Sequence, residues 1–186
     1  TPANLHDFYG RFDVSWTGGG TNATRLSNWL DPTTSGVMGL DGDPHVTTLD
    51  GTPYDFQGAG EFVALRVGPA VEVQVRQAPI ATSFNPGPNP HTGLATCVSL
   101  NTAVAARVGK RRITYQPNLS GVPDPSGLQL RVDGALSTLC AGGIDLGNGG
   151  RIGPTVASGG IEVAFPEGYT LSVTPGWWAS ESKWYL

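Results

Sequence analysis

Short apolar stretches that alternate every second residue constrain this chain more than any other feature of its sequence. The clearest examples are residues 71–76, 128–132 and 161–165. A period of two is typical of strands with one buried face. Because such stretches recur at short, regular intervals with turn residues between them, we predict an all-β fold, an antiparallel β-sandwich of many short strands.

The same alternation places individual side chains and turns. It predicts a strand in which Val63, Leu65 and Val67 share one face. Asp133-Gly134, directly after an alternating stretch, is a typical hairpin turn. Two proline-rich segments are predicted loops: residues 84–93 and 116–127.

The first forty residues differ from the rest of the chain. Residues 12–16 alternate like a strand, and residues 22–30 predict at most one short helix, capped by Asn22. Asp31-Pro32 ends that helix. We predict an N-terminal arm, or the end of a preceding module, over residues 1–40. The β domain then spans residues 41–186.

Composition supports a folded chain despite its many turn formers. The 186 residues include 27 Gly and 15 Pro, a share near that of disordered chains. Five Trp, five Tyr and six Phe supply the apolar surface that folding needs, which favours a folded, turn-rich domain.

Charge and hydropathy exclude two classes of partner. The net charge is −4, and the basic cluster Lys110-Arg111-Arg112 lacks interleaved aromatic residues, so we predict no nucleic-acid binding. No apolar run approaches the roughly 20 residues of a membrane span, so we predict no membrane insertion within this chain. The sequence shows no signal peptide, which favours a mature or excised piece.

Two cysteines, Cys97 and Cys140, indicate the compartment. No Cys-x-x-Cys pair exists, which argues against a thiolate zinc site. Two cysteines in a chain rich in Thr, Ser and Gly favour an exported protein with one disulfide. The alternative is two buried free thiols.

Residues 42–58 concentrate the chemically active side chains. The segment reads Gly-Asp-Pro-His-Val-Thr-Thr-Leu-Asp-Gly-Thr-Pro-Tyr-Asp-Phe-Gln-Gly. The carboxylate of Asp43 can attack its own carbonyl carbon, and Pro44 contributes a comparatively basic leaving nitrogen. His45, with an ordinary pKa of about 6.5, can supply the proton as pH falls. The other interpretation is that the motif only begins a strand, with Asp43 accepting turn hydrogen bonds.

The motif Gly-Asp-Pro-His-x-x-Thr-x-Asp-Gly-x-x-Tyr-Asp-Phe-x-Gly resembles the opening of the von Willebrand factor type D domain. The match is dense over residues 42–65. It implies an extracellular or cell-surface module that serves adhesion or assembly, with surface proteins or glycans as partners. In proteins resembling this module the same Gly-Asp-Pro-His cuts itself, which implies that Asp43 is the nucleophile and Pro44 the leaving side.

The resemblance also has departures. The family usually has a cysteine where this chain has Gly60, and its partner belongs to a later Gly-Leu-Cys-Gly-Asn-like loop that is missing here. We therefore expect a bacterial-type, disulfide-poor domain, truncated at its C-terminus. Cys97 looks like a family cysteine, and its partner here would be Cys140.

Calcium is a cofactor that the resemblance implies. Asp50 matches the first acidic ligand of the family's calcium site, but the remaining ligands normally come from the missing loop. Because Ca²⁺ takes six to eight oxygen ligands, one carboxylate cannot hold it. Asp50-Gly51 as a hairpin turn is the competing interpretation.

Two functional alternatives remain open. The module is either uncut and purely structural, or a carbohydrate-binding domain in which Trp177, Trp178 and Trp184 stack on sugar rings. Core packing is the competing use of these tryptophans. No Gly-x-Ser-x-Gly, phosphate loop or His-Glu-x-x-His occurs, so any cleavage would be a single event rather than turnover.

Overall fold

The computed structural model of the protein describes residues 11–16, 37–42, 44–49, 51–80, 98–117, 128–156 and 159–186. These residues form strands and turns without a helix, and every strand pairing among them is antiparallel. The predicted all-β, antiparallel class is confirmed. Within this described part, no helix has the length and apolarity that a membrane crossing requires. The predicted short helix and the loop over residues 84–93 lie outside the described residues.

The larger sheet has eight strands in the order β11-β12-β13-β14-β1-β2-β3-β4. Its strands, in chain order, are β1 (Arg11–Trp16), β2 (Val37–Asp41), β3 (His45–Thr47), β4 (Pro53–Asp55), β11 (Ile144–Gly147), β12 (Gly150–Pro154), β13 (Ile161–Ala164) and β14 (Tyr169–Thr174). β4 and β11 are therefore the two edges of this sheet.

The smaller sheet has six strands in the order β10-β9-β8-β7-β6-β5, so each strand pairs with its neighbour in sequence. Its strands are β5 (Gly60–Val67), β6 (Val71–Pro79), β7 (Ser99–Val108), β8 (Arg111–Pro117), β9 (Leu128–Val132) and β10 (Ala135–Leu136). A separate hairpin follows, formed by β15 (Gly176–Trp178) and β16 (Lys183–Tyr185).

The buried faces of the two sheets share one core, as a sandwich requires. Val71 and Val73 of the smaller sheet and Ile152 and Val163 of the larger sheet are fully buried in the same cluster. A second, smaller cluster joins Ile80, Leu100 and Tyr185 beneath the β15–β16 hairpin. The hairpin is therefore packed onto the sandwich.

The predicted hairpin turn at Asp133-Gly134 is confirmed. Asp133 and Gly134 connect β9 to β10 with φ angles of 51° and 82°. Two consecutive left-handed residues are what a two-residue hairpin loop requires, which explains the Asp-Gly pair. The predicted loop over residues 116–127 begins too early, because β8 continues through Gln116 to Pro117.

In β5 the side chains that face the core are not the ones that the sequence predicts. Ala64 is an extra residue in β5, since the pairing with β6 shifts register between Val63 and Leu65. This β-bulge turns Val63 outward, where its side chain is 47% exposed, while Leu65 is buried. Phe62 packs against the core on the inner face instead of Val63.

The backbone of β1 lies inside the larger sheet. It pairs with β14 on one side and with β2 on the other. The sheet therefore includes residues that the sequence analysis assigned to the N-terminal arm, and the proposed division after residue 40 falls within β2.

Candidate functional site

The motif over residues 42–58 follows β2 and forms the β3–β4 end of the larger sheet. Asp43 lies outside the described residues, but the residues on both sides of it are described. The site is therefore defined by what holds Gly42 before Asp43 and Pro44 after it.

Asn101 holds the backbone that precedes Asp43. Its backbone N–H donates to the carbonyl of Gly42 at 3.0 Å, and its side-chain Nδ2 donates to the carbonyl of Asp41 at 3.3 Å. Asn101 belongs to β7 of the smaller sheet and is completely buried. A fully buried asparagine whose backbone N–H and side-chain Nδ2 both donate to the chain before Asp43 indicates a structural role of this kind.

Tyr185 restricts the same backbone by packing. A Cβ atom added to Gly42 would overlap the ring of Tyr185, which is itself only 1% exposed. The next residue, Leu186, donates its backbone N–H to the carbonyl of Asn101 at 2.8 Å. The end of the β15–β16 hairpin, Asn101 and Gly42 therefore form one packed unit, and glycine is required at position 42.

The residues after Asp43 are held by β4. Pro44 is buried, and its carbonyl accepts a hydrogen bond from the backbone N–H of Phe56 at 3.0 Å. His45 pairs with Asp55 across β3 and β4, and its Nδ1 lies 2.6 Å from Asp55 Oδ1. The side chains of His45 and Asp55 are 55% and 72% exposed, so this contact lies at the surface.

Two glutamines fix the end of the motif to the smaller sheet. Gln57 Oε1 accepts hydrogen bonds from the backbone N–H of Ser99 at 2.7 Å and from its hydroxyl at 3.2 Å. Gln77 Oε1 accepts from the backbone N–H of Gly58 at 3.0 Å. The whole motif is thus attached to β6 and β7 at both of its ends.

This arrangement suits a bond-cleaving segment because the residues before and after Asp43, Gly42 and Pro44, are both held by hydrogen bonds. Holding reacting groups in place lowers the entropic cost of an intramolecular attack. The contact between His45 and Asp55 orients an imidazole ring one residue beyond Pro44.

The sequence predicts Asp43, Pro44 and His45 as site residues, and this stays a prediction, but it does not reveal the residues that hold the backbone before Asp43. Asn101 and Tyr185 lie 43 and 127 residues beyond Gly58, the last residue of the motif, and no local pattern connects them to it. The available signal was the position of Asn101, an amide side chain inside the predicted strand over residues 98–108.

The calcium ligand set that the resemblance implies does not assemble among the described residues. Thr48 and Thr52 close the connection between β3 and β4, with the N–H of Thr48 donating to the carbonyl of Thr52 at 3.0 Å. Asp50 itself lies outside the described residues. No group of three or more His, Cys, Asp or Glu side chains comes together within them, whereas Ca²⁺ needs six to eight oxygens. A calcium site at Asp50 stays a prediction.

The predicted disulfide is not seen in the part of the chain that the structure describes. Cys140 is exposed, which contradicts the alternative that it is a buried thiol. Cys97 lies outside the described residues, so its pairing with Cys140 stays a prediction.

The three C-terminal tryptophans do not form one surface. Trp177 and Trp184 are direct cross-strand partners, with ring centroids 5.3 Å apart and planes tilted by 53°. Trp178 lies on the opposite face of the hairpin and packs against the cluster that contains Leu100 and Tyr185. The structure brings together two of the three predicted residues.

No model of a known protein family matches this sequence. The resemblance to the von Willebrand factor type D domain therefore rests on residues 42–65 themselves, and its functional implications are proposals.

Proposed function

We propose that this chain is an extracellular or cell-surface adhesion or assembly module, similar to the von Willebrand factor type D domain, that cuts its own Asp43–Pro44 bond once. The observation that supports cleavage is that the residues on either side of Asp43 are both held by hydrogen bonds. Asn101 holds Gly42, while Phe56 holds Pro44. The partners of the proposed module would be other surface proteins or glycans.

The chemistry balances without a cofactor. A carboxylate oxygen of Asp43 attacks the carbonyl carbon of the same residue and forms a five-membered cyclic anhydride. The bond to Pro44 breaks, and its nitrogen takes a proton and leaves as a secondary amine. Water then opens the anhydride, which regenerates the side-chain carboxyl group of Asp43 and creates a new α-carboxyl group. The net reaction is hydrolysis of one peptide bond.

His45 is the proton source in this proposal. Its imidazole follows Pro44 directly and is oriented through the 2.6 Å contact of Nδ1 with Asp55. Because the leaving nitrogen takes its proton from a protonated imidazole in this proposal, cleavage should accelerate as pH falls. His45→Gln removes the proton donor and should slow cleavage by about 10²-fold or more.

Incubation of the purified protein from pH 5 to 7, followed by denaturing gels and mass spectrometry, tests the proposal. We expect fragments that span residues 1–43 and 44–186, and no fragments from Asp43→Ala or Asp43→Asn. An uncut wild-type chain would overturn self-cleavage and leave the structural module. An Asp43→Ala chain that still breaks at this bond would overturn the nucleophile.

The cut halves should remain associated. The N-terminal fragment carries β1 and β2, and these strands pair with β14 and β3 of the other fragment. Gel filtration under native conditions should therefore show one species where denaturing gels show two. Separation of the fragments without denaturant would contradict the role of these strands in the sheet.

Carbohydrate binding at the β15–β16 hairpin is a second candidate, supported by the Trp177–Trp184 pair. Both rings are partly exposed on the same face, as sugar stacking requires. On a glycan array, Trp177→Ala should abolish binding. Trp184→Ala should do the same, and binding that persists in both variants would reject this site.

A further inference from the structure

The outward face of the smaller sheet is rich in arginine, although the chain as a whole is acidic. The net charge of the whole chain is −4. Apart from Gln77 and Asn101, the inward residues of β6, β7 and β8 are apolar, so the alternate residues of these strands face away from the core. They include three arginines that line one cavity: Arg76, Arg107 and Arg112.

The cavity has a volume of about 370 Å³ and lies above β7. Its floor is formed by the small side chains of Ala103 and Ala105. Ala105 lies between Gln74 of β6 and Thr114 of β8 in the strand pairing. The cavity exists because two alanines stand between rows of longer polar side chains, and its size falls within the range of about 300–1,000 Å³ that is usual for small-ligand sites.

The carboxylates in the cavity are already paired. Glu61 accepts hydrogen bonds from Arg76 at 2.7 and 3.0 Å. Glu72 lies 2.6 Å from Arg66 and 3.2 Å from Arg107. Hydrogen bonds from Arg66 and then Gln74 lower the pKa of Glu72, so this carboxylate is an anion at neutral pH.

Positive charge and donor capacity remain after this pairing. In the described part of the chain no carboxylate pairs with the guanidinium of Arg112, while Asp133 pairs with the neighbouring Arg111 at 2.8 Å. The Nε atom of Arg107 is buried and has no hydrogen-bond partner among the described residues. The guanidinium of Arg112 lines the cavity and is suited to bind a ligand carboxylate, which Arg recognises through paired N–H donors.

We propose that this cavity binds a carboxylate-bearing sugar residue of an acidic polysaccharide. The cavity offers amide and hydroxyl groups from Gln74 and Thr114 beside the arginines, which matches a ring with one carboxylate and several hydroxyls. An acidic peptide fits less well. β7 is an interior strand whose backbone is already paired on both sides, so a peptide cannot add to it as a new strand.

Titration of the ¹⁵N-labelled protein with trigalacturonate at near-physiological salt tests this site. We expect saturable shifts of the amides of Ala105 and Thr114, and no such shifts with the neutral methyl ester of the same trisaccharide. Arg112→Gln should weaken binding about tenfold or more, because it removes a charge-assisted hydrogen-bond donor from the cavity.

Arg111→Gln is the matched control, since it removes the same charge from the adjacent residue outside the cavity and should change affinity less than about twofold. Trp177→Ala should leave these shifts unchanged, which separates this site from the hairpin tryptophans. Absence of binding, equal losses in the Arg111 and Arg112 variants, or equal binding of the neutral ester would overturn the proposal. Tighter binding of a polyglutamate peptide at the same amides would also overturn it and make the partner an acidic peptide.

Discussion

Asn101 shows how a single buried side chain organises the motif. It is fully buried, and its backbone and side chain bond to Asp41, Gly42 and Leu186. Removing one partner from such a network costs more than an average hydrogen bond, because the other groups stay buried without partners. Asn101 therefore fixes the backbone before Asp43 more firmly than any local turn would.

Gly42→Ala tests this packing. The added Cβ overlaps the ring of Tyr185, which is too buried to move freely, so unfolding free energy should fall by about 1–3 kcal/mol. Urea unfolding followed by tryptophan fluorescence measures the change.

Gly153→Ala is the matched control, because a Cβ at Gly153 has open space and the residue is not in the left-handed region. Its stability should stay within about 0.5 kcal/mol of wild type. Equal losses in both variants would show that the Tyr185 contact is not the cause.

At the scale of strands, the bulge in β5 decides which of the apolar side chains of this strand face the core. Val63 and Val73 have the same side chain, but Val63 is 47% exposed and Val73 is fully buried. Val73 belongs to β6 and faces the core, whereas Val63 faces away from it because Ala64, between Val63 and Leu65, has no partner in β6. A strand at the edge of a sheet tolerates such an extra residue, and the bulge also disrupts pairing with further strands.

Substitution of each valine by threonine tests the phase of β5. Val63→Thr should change stability by less than about 0.5 kcal/mol, since its side chain already meets solvent. Val73→Thr buries a hydroxyl without a new partner and should cost about 1–3 kcal/mol. A larger loss from Val63→Thr than from Val73→Thr would place Val63 inward, as the sequence alone suggested.

The strands show why sequence reasoning succeeded in some places and failed in others. The alternation in residues 71–76 and the Asp133-Gly134 turn are local, and the structure confirms both. The phase of β5 failed because Val63 and Leu65 are both apolar, so only pairing with β6 reveals the extra residue. The residues that anchor the motif could not be predicted for the same reason, because Asn101 and Tyr185 meet Gly42 only after the sheets have packed.

At the scale of the whole molecule, Tyr115 links the two sheets. Its ring is in the core, and its hydroxyl donates to the carbonyl of Gly159, which precedes β13 of the larger sheet. Burial raises the pKa of Tyr115 to about 12. The charged form is disfavoured in the folded state, so this group resists ionisation until the chain unfolds.

The sign of the pH dependence follows from this shift. The unfolded chain releases the tyrosine proton near pH 10, while the folded chain retains it to about 12. The stabilisation is complete below about pH 10 and is lost as pH rises toward about 12.

Tyr115→Phe should therefore be less stable than wild type by about 1 kcal/mol at neutral pH, from the lost hydrogen bond. The gap should narrow, or reverse, between about pH 10 and 12. Urea unfolding at a series of pH values measures both, and a gap that stays constant up to pH 12 would contradict the assignment to Tyr115.

The place of β1 between β2 and β14 also bears on biosynthesis. Of the described strands, β1 leaves the ribosome first, yet one of its two neighbours is residues 169–174, near the far end of the chain. The smaller sheet joins strands in their order of synthesis and can form during translation. The larger sheet must wait for a pairing of very long sequence separation, so its closure should set the pace of folding.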